Sequence, residues 1–153
     1  MICLDSGCLD YERMWVTTSL RGLVGGLLTV EVLTEGIHSG SGSGVVPSSF
    51  RIARLLLDRI EDPHTGRILL PQFHVDIPAD RRRQAEETAA VTPAYASTLP
   101  FIGSTQPMSD DPVEQLLGHT WDPTLSTVGA DGFPPTNRAG NVLRPLTALR
   151  LSL

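Results

Sequence analysis

Residues Leu27–Thr34 read LLTVEVLT, and this stretch decides the class of fold that the sequence predicts. Leu28, Val30 and Val32 are apolar and alternate with side chains that are mostly polar. A repeat of two residues places alternate side chains on opposite faces of an extended chain. The stretch is therefore predicted to be a β-strand with one face against a core.

A loop rich in glycine and serine follows this strand, and a helix follows the loop. The loop spans Gly36–Gly44 and contains His38. Pro47 precedes two serines, which is a start signal for a helix, and Asp62-Pro63 is expected to end it. Apolar side chains recur at helical spacing along this segment, at Phe50, Ala53, Leu56, Leu57 and Ile60.

The rest of the chain is predicted to contain three more strands and two more helices, joined by loops rich in proline and glycine. The strands are expected at residues 68–70, 124–128 and 142–153, the last broken by Pro145, and the helices at 81–91 and 112–117. Strands that return antiparallel, with helices between them, favour an α+β fold. We expect a two-layer sandwich with a mainly antiparallel sheet and helices on one face.

The composition is typical of a soluble globular protein. Of the 153 residues, 41% are hydrophobic and 19% are charged, which does not indicate disorder. The formal net charge is −5, and the short basic run at residues 81–83 is followed by glutamates, so no nucleic-acid partner is expected. No apolar run approaches the roughly 20 residues that cross a bilayer, so no membrane contact is expected either.

The start of the chain and its cysteines favour a cytoplasmic location. Residues 1–11 have no basic lead-in and carry two aspartates, unlike a signal peptide. Cys3 and Cys8 lack the spacing of a zinc site, and a reducing compartment is the simpler interpretation.

Motif checks leave few residues that could carry chemistry. The loop around His38 has no lysine for a phosphate-binding loop, and its glycines do not match a dinucleotide loop or a nucleophile elbow. It is either a plain surface loop or a turn that presents His38 at the entry to a helix. His64, His74 and His119 show no metal-ligand spacing. Asp5 is either a turn residue before Ser-Gly or a carboxylate placed at a strand end for metal binding.

Eight short motifs occur in an order and at distances that are similar to one family of enzymes. They are residues 4–7 (LDSG), 15–23 (WVTTSLRGL), 29–32 (TVEV), 36–40 (GIHSG), 45–48 (VVPS), 123–126 (PTLS), 129–132 (GADG) and 140–145 (GNVLRP). Together they resemble the dinuclear zinc peptidases related to carnosine dipeptidase, acetylornithine deacetylase and succinyl-diaminopimelate desuccinylase. The resemblance runs through nearly the whole chain and rests on the combination, since each motif alone is weak.

The resemblance implies a fragment of a larger amide-bond hydrolase. Members of that family have a catalytic domain with two zinc ions, interrupted by an α+β lid domain that commonly makes the dimer contact. Residues 1–16 would be the end of the catalytic domain and residues 17–153 the lid. The ends agree with this interpretation, because residues 1–4 and 149–153 have strand-like patterns without a polar lead-in or tail. We therefore expect a truncated dipeptidase that forms a homodimer and is inactive alone.

The resemblance also assigns roles to four residues. His38 would reach into the active site of a partner subunit and stabilise the oxyanion of the scissile amide. Asn141 would meet the polar end of a small peptide substrate, and Arg144 could pair with its carboxylate. Asp5 would be the one metal ligand present, so tight zinc binding by this chain alone is not expected. Asp122 departs from the family pattern, and its negative charge would oppose a peptide carboxylate.

Two other hypotheses remain open from the sequence. The chain could be a standalone dimerisation or binding module without catalytic activity. It could also be an unrelated enzyme that uses His38 with a serine or an aspartate, which the failed motif checks make the weakest of the three.

Overall fold

The computed structural model describes residues 7–153, which divide into two compact units. The first unit comprises the described residues up to Gly22 together with His74–Asp122. The second comprises Leu23–Phe73 and Pro123–Leu153. The second unit is thus built from two stretches that are separated in sequence by most of the first. The boundary predicted after residue 16 stays a prediction.

The second unit contains all the strands of the described chain. They are β1 (Gly25–Glu31), β2 (Ile37–His38), β3 (Ser126–Asp131), β4 (Val142–Leu143) and β5 (Leu146–Ser152). β5 lies between β1 and β3 in an antiparallel sheet, and β2 pairs with β4 in a two-stranded antiparallel sheet. The predicted alternation in β1 is correct, because Leu28 and Val30 share the face that meets the core while Thr29 faces away.

A helix covers one face of the three-stranded sheet. The helices of this unit are α1 (Ser39–Gly42) and α2 (Ser49–Leu57). The side chain of Ser48 accepts a hydrogen bond from the N–H of Arg51 and so caps the start of α2. Ala53 is fully buried and packs with Val30 and Leu149. Burial of such apolar side chains is the main force that holds helix to sheet, at about 25 cal/mol per Å².

The regular ladder of β1 stops where Pro145 interrupts the opposite chain. The carbonyl oxygen of Pro145 accepts hydrogen bonds from both Val32 (2.8 Å) and Leu33 (3.3 Å). β5 lies on one side of this proline and β4 on the other, so the same chain pairs first with β2 and then with β1. This break explains why β1 ends before the predicted Thr34.

The first unit packs two helices together. These are α3 (Ala79–Ala89) and α4 (Pro112–Thr120). Asp111 caps α4 through the N–H of Val113, and Arg82 forms a 3.0 Å ion pair with Glu114 between the helices. Leu117 is buried within this unit. At the other end of α4, the guanidinium of Arg21 donates to the carbonyl oxygens of Gly118 and Asp122.

The α+β fold class is confirmed, with small antiparallel sheets and four helices among the described residues. The strand predicted at residues 68–70 is wrong, because Ile68 makes only an isolated bridge to Glu61. The helix predicted to reach Asp62 ends at Leu57, and β3 continues to Asp131, beyond the predicted residue 128. Within residues 7–153, we find no helix with the length and apolar character needed to cross a membrane.

Candidate functional site

His38 is held at the end of a short strand pair and its side chain is exposed. It lies opposite Val142 in the β2–β4 register. The N–H of the next residue, Ser39, donates to the carbonyl oxygen of Asn141 at 2.9 Å. His38 and Asn141, both predicted site residues, are therefore brought together by backbone pairing.

The segment after His38 is a tight turn of helix, not the plain loop that was one of the two interpretations. α1 packs against both β2 and β4. A Cβ at Gly42 would lie 2.6 Å from a methyl of Ile37 and 2.8 Å from one of Leu143, so only glycine fits there without displacement. This close packing fixes the path of the chain on both sides of His38.

The imidazole of His38 caps α1. Its Nδ1 accepts a hydrogen bond from the backbone N–H of Gly40 at 3.1 Å. The ring is thereby fixed in orientation at the surface, although the side chain has no packed environment.

Arg144 lies two residues beyond Val142 and is half-buried. Its Nε donates to the carbonyl oxygen of Gly132 at 2.5 Å. Gly132 has a φ of +100°, and a Cβ there would collide with the carbonyl oxygen of Leu146. The turn after β3 therefore needs glycine, and this turn supplies the acceptor that orients Arg144.

Sequence reasoning missed an aromatic pair beside this turn. Phe133 follows Gly132 and contacts Phe50 edge to face, with ring centroids 5.7 Å apart. The guanidinium of Arg54 lies 5.8 Å from the centroid of the Phe50 ring. Phe50 was expected to pack in the core, but it is 45% exposed and Phe133 is 48% exposed. No repeat or motif in the sequence indicated that these two side chains would meet.

The described residues do not form a metal site. No group of three or more His, Cys, Asp or Glu side chains among residues 7–153 is arranged to hold an ion. Asp5, the predicted ligand, lies outside the described residues. His119 stacks on Tyr95 with ring centroids 4.5 Å apart, and His64 is exposed in a turn. These donors therefore do not fit a zinc centre within the described part of the chain.

Two neighbouring carboxyl groups in that turn titrate abnormally. Backbone hydrogen bonds from His64 and Thr65 lower the pKa of Asp62. Partial burial raises the pKa of Glu61, and the negative charge of Asp58 adds to the effect. Both shifts belong to the turn that follows α2, so they indicate local structure and not a catalytic carboxylate.

A cavity of about 520 Å³ lies within the first unit. Its walls include Trp15, Trp121, Met14 and Arg81. The indole nitrogen of Trp15 is buried without a hydrogen-bond partner among the described residues. Desolvation opposes ionisation of nearby Asp10, but hydrogen bonds from Arg13 and Glu12 outweigh it and lower the pKa of that carboxyl. None of His38, Asn141 and Arg144 lines this cavity.

Comparison with solved structures identifies the architecture. No family model matches the sequence, and no curated protein matches it. Human carnosine dipeptidase 1 matches the structure with a TM-score of 0.68 over 92% of this chain, at 18% identity. The chain has the fold of part of a peptidase.

Two further solved structures agree with this assignment of the fold. The di-peptidase Dug1p of Saccharomyces cerevisiae matches with a TM-score of 0.68 over 87% of this chain, at 20% identity. An M20 family metallo-carboxypeptidase of Sulfolobus solfataricus, Sso-CP2, matches with a TM-score of 0.67 over 87%, at 14% identity. The chain spans only 31%, 28% and 30% of the three solved chains, respectively.

Proposed function

We propose that this chain is the lid and dimer-forming region of a truncated metal-dependent dipeptidase, an amide-bond hydrolase, and is inactive alone. The observation that carries the proposal is the shared fold over 87–92% of the chain, which covers less than a third of each peptidase. Six of the eight family motifs lie in the two stretches that form the sheet, its helix and the His38 turn. A region of this size would supply contacts to a substrate and leave the metal chemistry to the rest of an enzyme.

His38 is the residue on which the proposed role depends. Its exposed ring, fixed by Gly40, fits a hydrogen-bond donor that enters the active site of a partner subunit. Such a donor stabilises the negative oxygen that develops when an amide carbon is attacked, and it is typically worth 10²–10³ in kcat. Asn141 lies beside His38, where it would contact the polar end of a small peptide.

Arg144 is proposed to bind the carboxylate of that peptide. Gly132 occupies its Nε, which leaves the two terminal nitrogens of the guanidinium as the groups that would meet a carboxylate. Asp122 belongs to the first unit. Its negative charge is opposite to that of Arg144 and would oppose the carboxylate of the peptide.

The two zinc ions that the family uses would be held mostly by the rest of the enzyme, with Asp5, which lies outside the described residues, as the proposed contribution of this chain. Zinc would polarise the amide carbonyl and supply the attacking hydroxide. The described residues have no set of donors for that purpose, so their proposed part is limited to binding and orientation.

The partner in this proposal is a second copy of the chain. Within the described residues β1 pairs only with β5, so its other edge is open. Leu23 and Val24, which precede this strand, and Leu27 within it are 83%, 56% and 65% exposed. An open edge with exposed apolar side chains favours pairing with another strand. The proposed cytoplasmic location agrees with Cys8, an exposed free thiol that a reducing compartment would preserve.

The alternative function is a standalone dimerisation or binding module. The same open edge of β1 favours it, because association through that edge needs no catalytic domain. The two functions differ in what the flanking DNA encodes, since only the first requires metal ligands on either side of this chain.

The test begins by reading the DNA on both sides of this coding sequence. An H-x-D motif and a Glu-Glu pair upstream, with a histidine ligand downstream, would support the peptidase. The extended protein should then hydrolyse dipeptides with zinc, and His38→Ala should lower kcat by about 10²–10³. His64→Ala is the matched control, since His64 is also exposed but lies in a different turn.

Either of two results would contradict the peptidase proposal. Flanking DNA without any ligand motif would favour the binding module. Hydrolysis of dipeptides by the 153-residue chain alone, dependent on zinc, would show that the chain is a complete enzyme.

A further inference from the structure

We propose that the backbone N–H of Gly40 is a positioning group that holds His38 in the tautomer with hydrogen on Nε2, so that His38 acts as a hydrogen-bond donor and not as a metal ligand. The acceptor it would serve is a carbonyl oxygen or an oxyanion of an amide. The identity of that acceptor rests on the proposed function, whereas the tautomer does not.

The first step is the direction of the bond between Gly40 and His38. A backbone N–H is always a donor, so the ring nitrogen 3.1 Å from it must be the acceptor. A neutral imidazole has one acceptor nitrogen and one donor nitrogen. Because Nδ1 accepts, the hydrogen is carried by Nε2.

The second step is that this arrangement is built into the chain and is not a chance contact. Ser39 is tied to Asn141 by its own N–H at 2.9 Å, which fixes the backbone between His38 and Gly40. Gly42 then fits against Ile37 and Leu143 with no room for a side chain. The Gly40 amide is therefore held in one place relative to the ring.

The third step concerns the lack of a side chain at Gly40. A Cβ at this position would lie 3.0 Å from Nδ1 and 3.1 Å from Cε1 of His38. These distances are shorter than ordinary contacts between carbon and ring atoms, so the ring would have to move. Glycine here therefore permits a closer approach of the imidazole to the amide than a residue with a Cβ would.

The consequence is a chemical role for the exposed edge of the ring. A metal ion binds the lone pair of an imidazole nitrogen, but in this tautomer Nε2 carries hydrogen and Nδ1 already accepts one. An Nε2–H group instead donates to a partly negative oxygen. In histidines generally, the hydrogen bond made by one ring nitrogen determines whether the other nitrogen carries the proton.

Nitrogen-15 NMR of the complete 153-residue chain tests the tautomer directly. At about pH 8, where free histidines are neutral, His38 should give a pyridine-type Nδ1 signal and a pyrrole-type Nε2 signal. In Gly40→Ala the two signals should move towards each other as the bond lengthens. Ser41→Ala is the matched control, because Ser41 is exposed in the same helix and should leave both signals unchanged.

The opposite assignment in the wild-type chain, with a pyrrole-type Nδ1, would overturn the proposal. So would averaged signals that Gly40→Ala leaves unchanged. If Gly40→Ala fails to fold, the wild-type spectrum still tests the proposal, because the two signals of His38 should lie further apart than those of exposed His64. Equal separations in the two residues would overturn it. A correct tautomer with no effect of His38→Ala on hydrolysis by the extended protein would instead contradict the proposed function alone.

Discussion

At the scale of single residues, Arg144 shows how a backbone carbonyl prepares a charged side chain. The bond from its Nε to Gly132 fixes the plane of the guanidinium, and this residue is half-buried. A charged donor bonded to a carbonyl is typically worth about 1.5–3 kcal/mol. The turn at Gly132 and the side chain of Arg144 therefore stabilise one another.

Replacement of Arg144 should destabilise the second unit. Arg144→Met keeps the length of the side chain but removes the donor, which leaves the Gly132 carbonyl to solvent or to no partner. We expect a loss of about 1–2 kcal/mol in the free energy of unfolding, measured by urea titration. Arg138→Met is the control, since Arg138 is exposed in a short 3-10 turn. Equal losses in the two variants would contradict a specific role for Arg144.

Two substitutions at His38 should distinguish the roles of its two ring nitrogens. The Asn side chain reaches about as far as Nδ1 and could accept from Gly40, whereas the Gln side chain reaches about as far as Nε2 and could donate. In the extended protein, His38→Gln should keep more dipeptidase activity than His38→Asn, within the 10²–10³ range expected for loss of one such donor. The comparison is made on kcat, and higher activity in His38→Asn would contradict the assignment of Nε2 as the donor.

At the scale of elements, α2 is joined to the sheet by a buried polar contact as well as by apolar packing. The hydroxyl oxygens of Ser49 and Thr147 are 2.9 Å apart, and the two residues are 3% and 0% exposed. Each hydroxyl satisfies the other in a place that water does not reach.

Removal of one partner should cost more than removal of both. Ser49→Ala leaves the Thr147 hydroxyl buried and unpaired, which costs about 1–3 kcal/mol. In Ser49→Ala combined with Thr147→Val, no polar group is left unpaired, so part of that loss should be recovered. Urea unfolding of the two single variants and the double variant measures this coupling. Strictly additive losses would show that the two hydroxyls act independently.

The turn after α2 should give opposite pH effects at adjacent residues. The pKa of Asp62 is lowered in the folded chain, so its stabilisation is present above the ordinary pKa and is lost as the pH falls through the lowered one. The pKa of Glu61 is raised, so its stabilisation is present below the ordinary pKa and is lost as the pH rises through the raised one.

Urea midpoints measured between about pH 2 and pH 7 should separate these two residues. Asp62→Asn should be less stable than wild type near neutral pH, because it lacks the charged acceptor, and the difference should disappear in acid. Glu61→Gln should be more stable than wild type near neutral pH and lose that advantage in acid. Parallel pH curves for both variants and wild type would contradict the assigned shifts.

Periodicity predicted the elements that are long enough to show it. β1, α2 and α4 were predicted because they repeat an apolar side chain several times, and their ends moved where capping or pairing intervened. β2 has only two residues, so no repeat could reveal it. β4 is also short, but it lies within the strand predicted at residues 142–153, before the predicted break at Pro145. Residues 68–70 have the composition of a strand. In the structure the side chain of Ile68 is buried, at 2% exposure, but the residue makes only an isolated bridge and no strand.

The site was predicted less completely than the fold. The family motifs pointed to His38, Asn141 and Arg144, and pairing brings the first two together. The role of the Gly40 amide could not be predicted, because a backbone N–H leaves no signature in sequence. The role of the Gly132 carbonyl as the acceptor for Arg144 could not be predicted for the same reason.

At the scale of the whole molecule, the exposed edge of β1 is the surface that we expect to join two copies. Leu27 is 65% exposed on this strand, and Leu55 is 56% exposed on α2. A charge on the edge strand should disrupt pairing between copies, whereas a charge on the helix should not.

Sedimentation velocity over a range of concentrations tests this expectation. Wild type and Leu55→Lys should form dimers, and Leu27→Lys should shift towards monomer by at least tenfold in dissociation constant, about 1.4 kcal/mol. A monomeric wild-type chain, or equal weakening by both substitutions, would contradict association through β1.

The sequence predicted one boundary, after residue 16, and not a second unit formed from two separate stretches. The physical reason for the two stretches is the pairing of β1 with β5. Gly25 pairs with Ser152, and Glu31 pairs with Leu146. Contacts between such distant residues depend on tertiary packing, which no local pattern reports.

This pairing has a consequence for how the protein is made. On the ribosome, β1 emerges long before β5, at about 5–20 residues per second. Until β5 follows, β1 lacks the strand it pairs with in the folded chain and offers two unsatisfied edges to other nascent chains. Synthesis in cells should therefore depend on chaperones that shield this strand, and slower translation of residues 74–122 would prolong the period of risk.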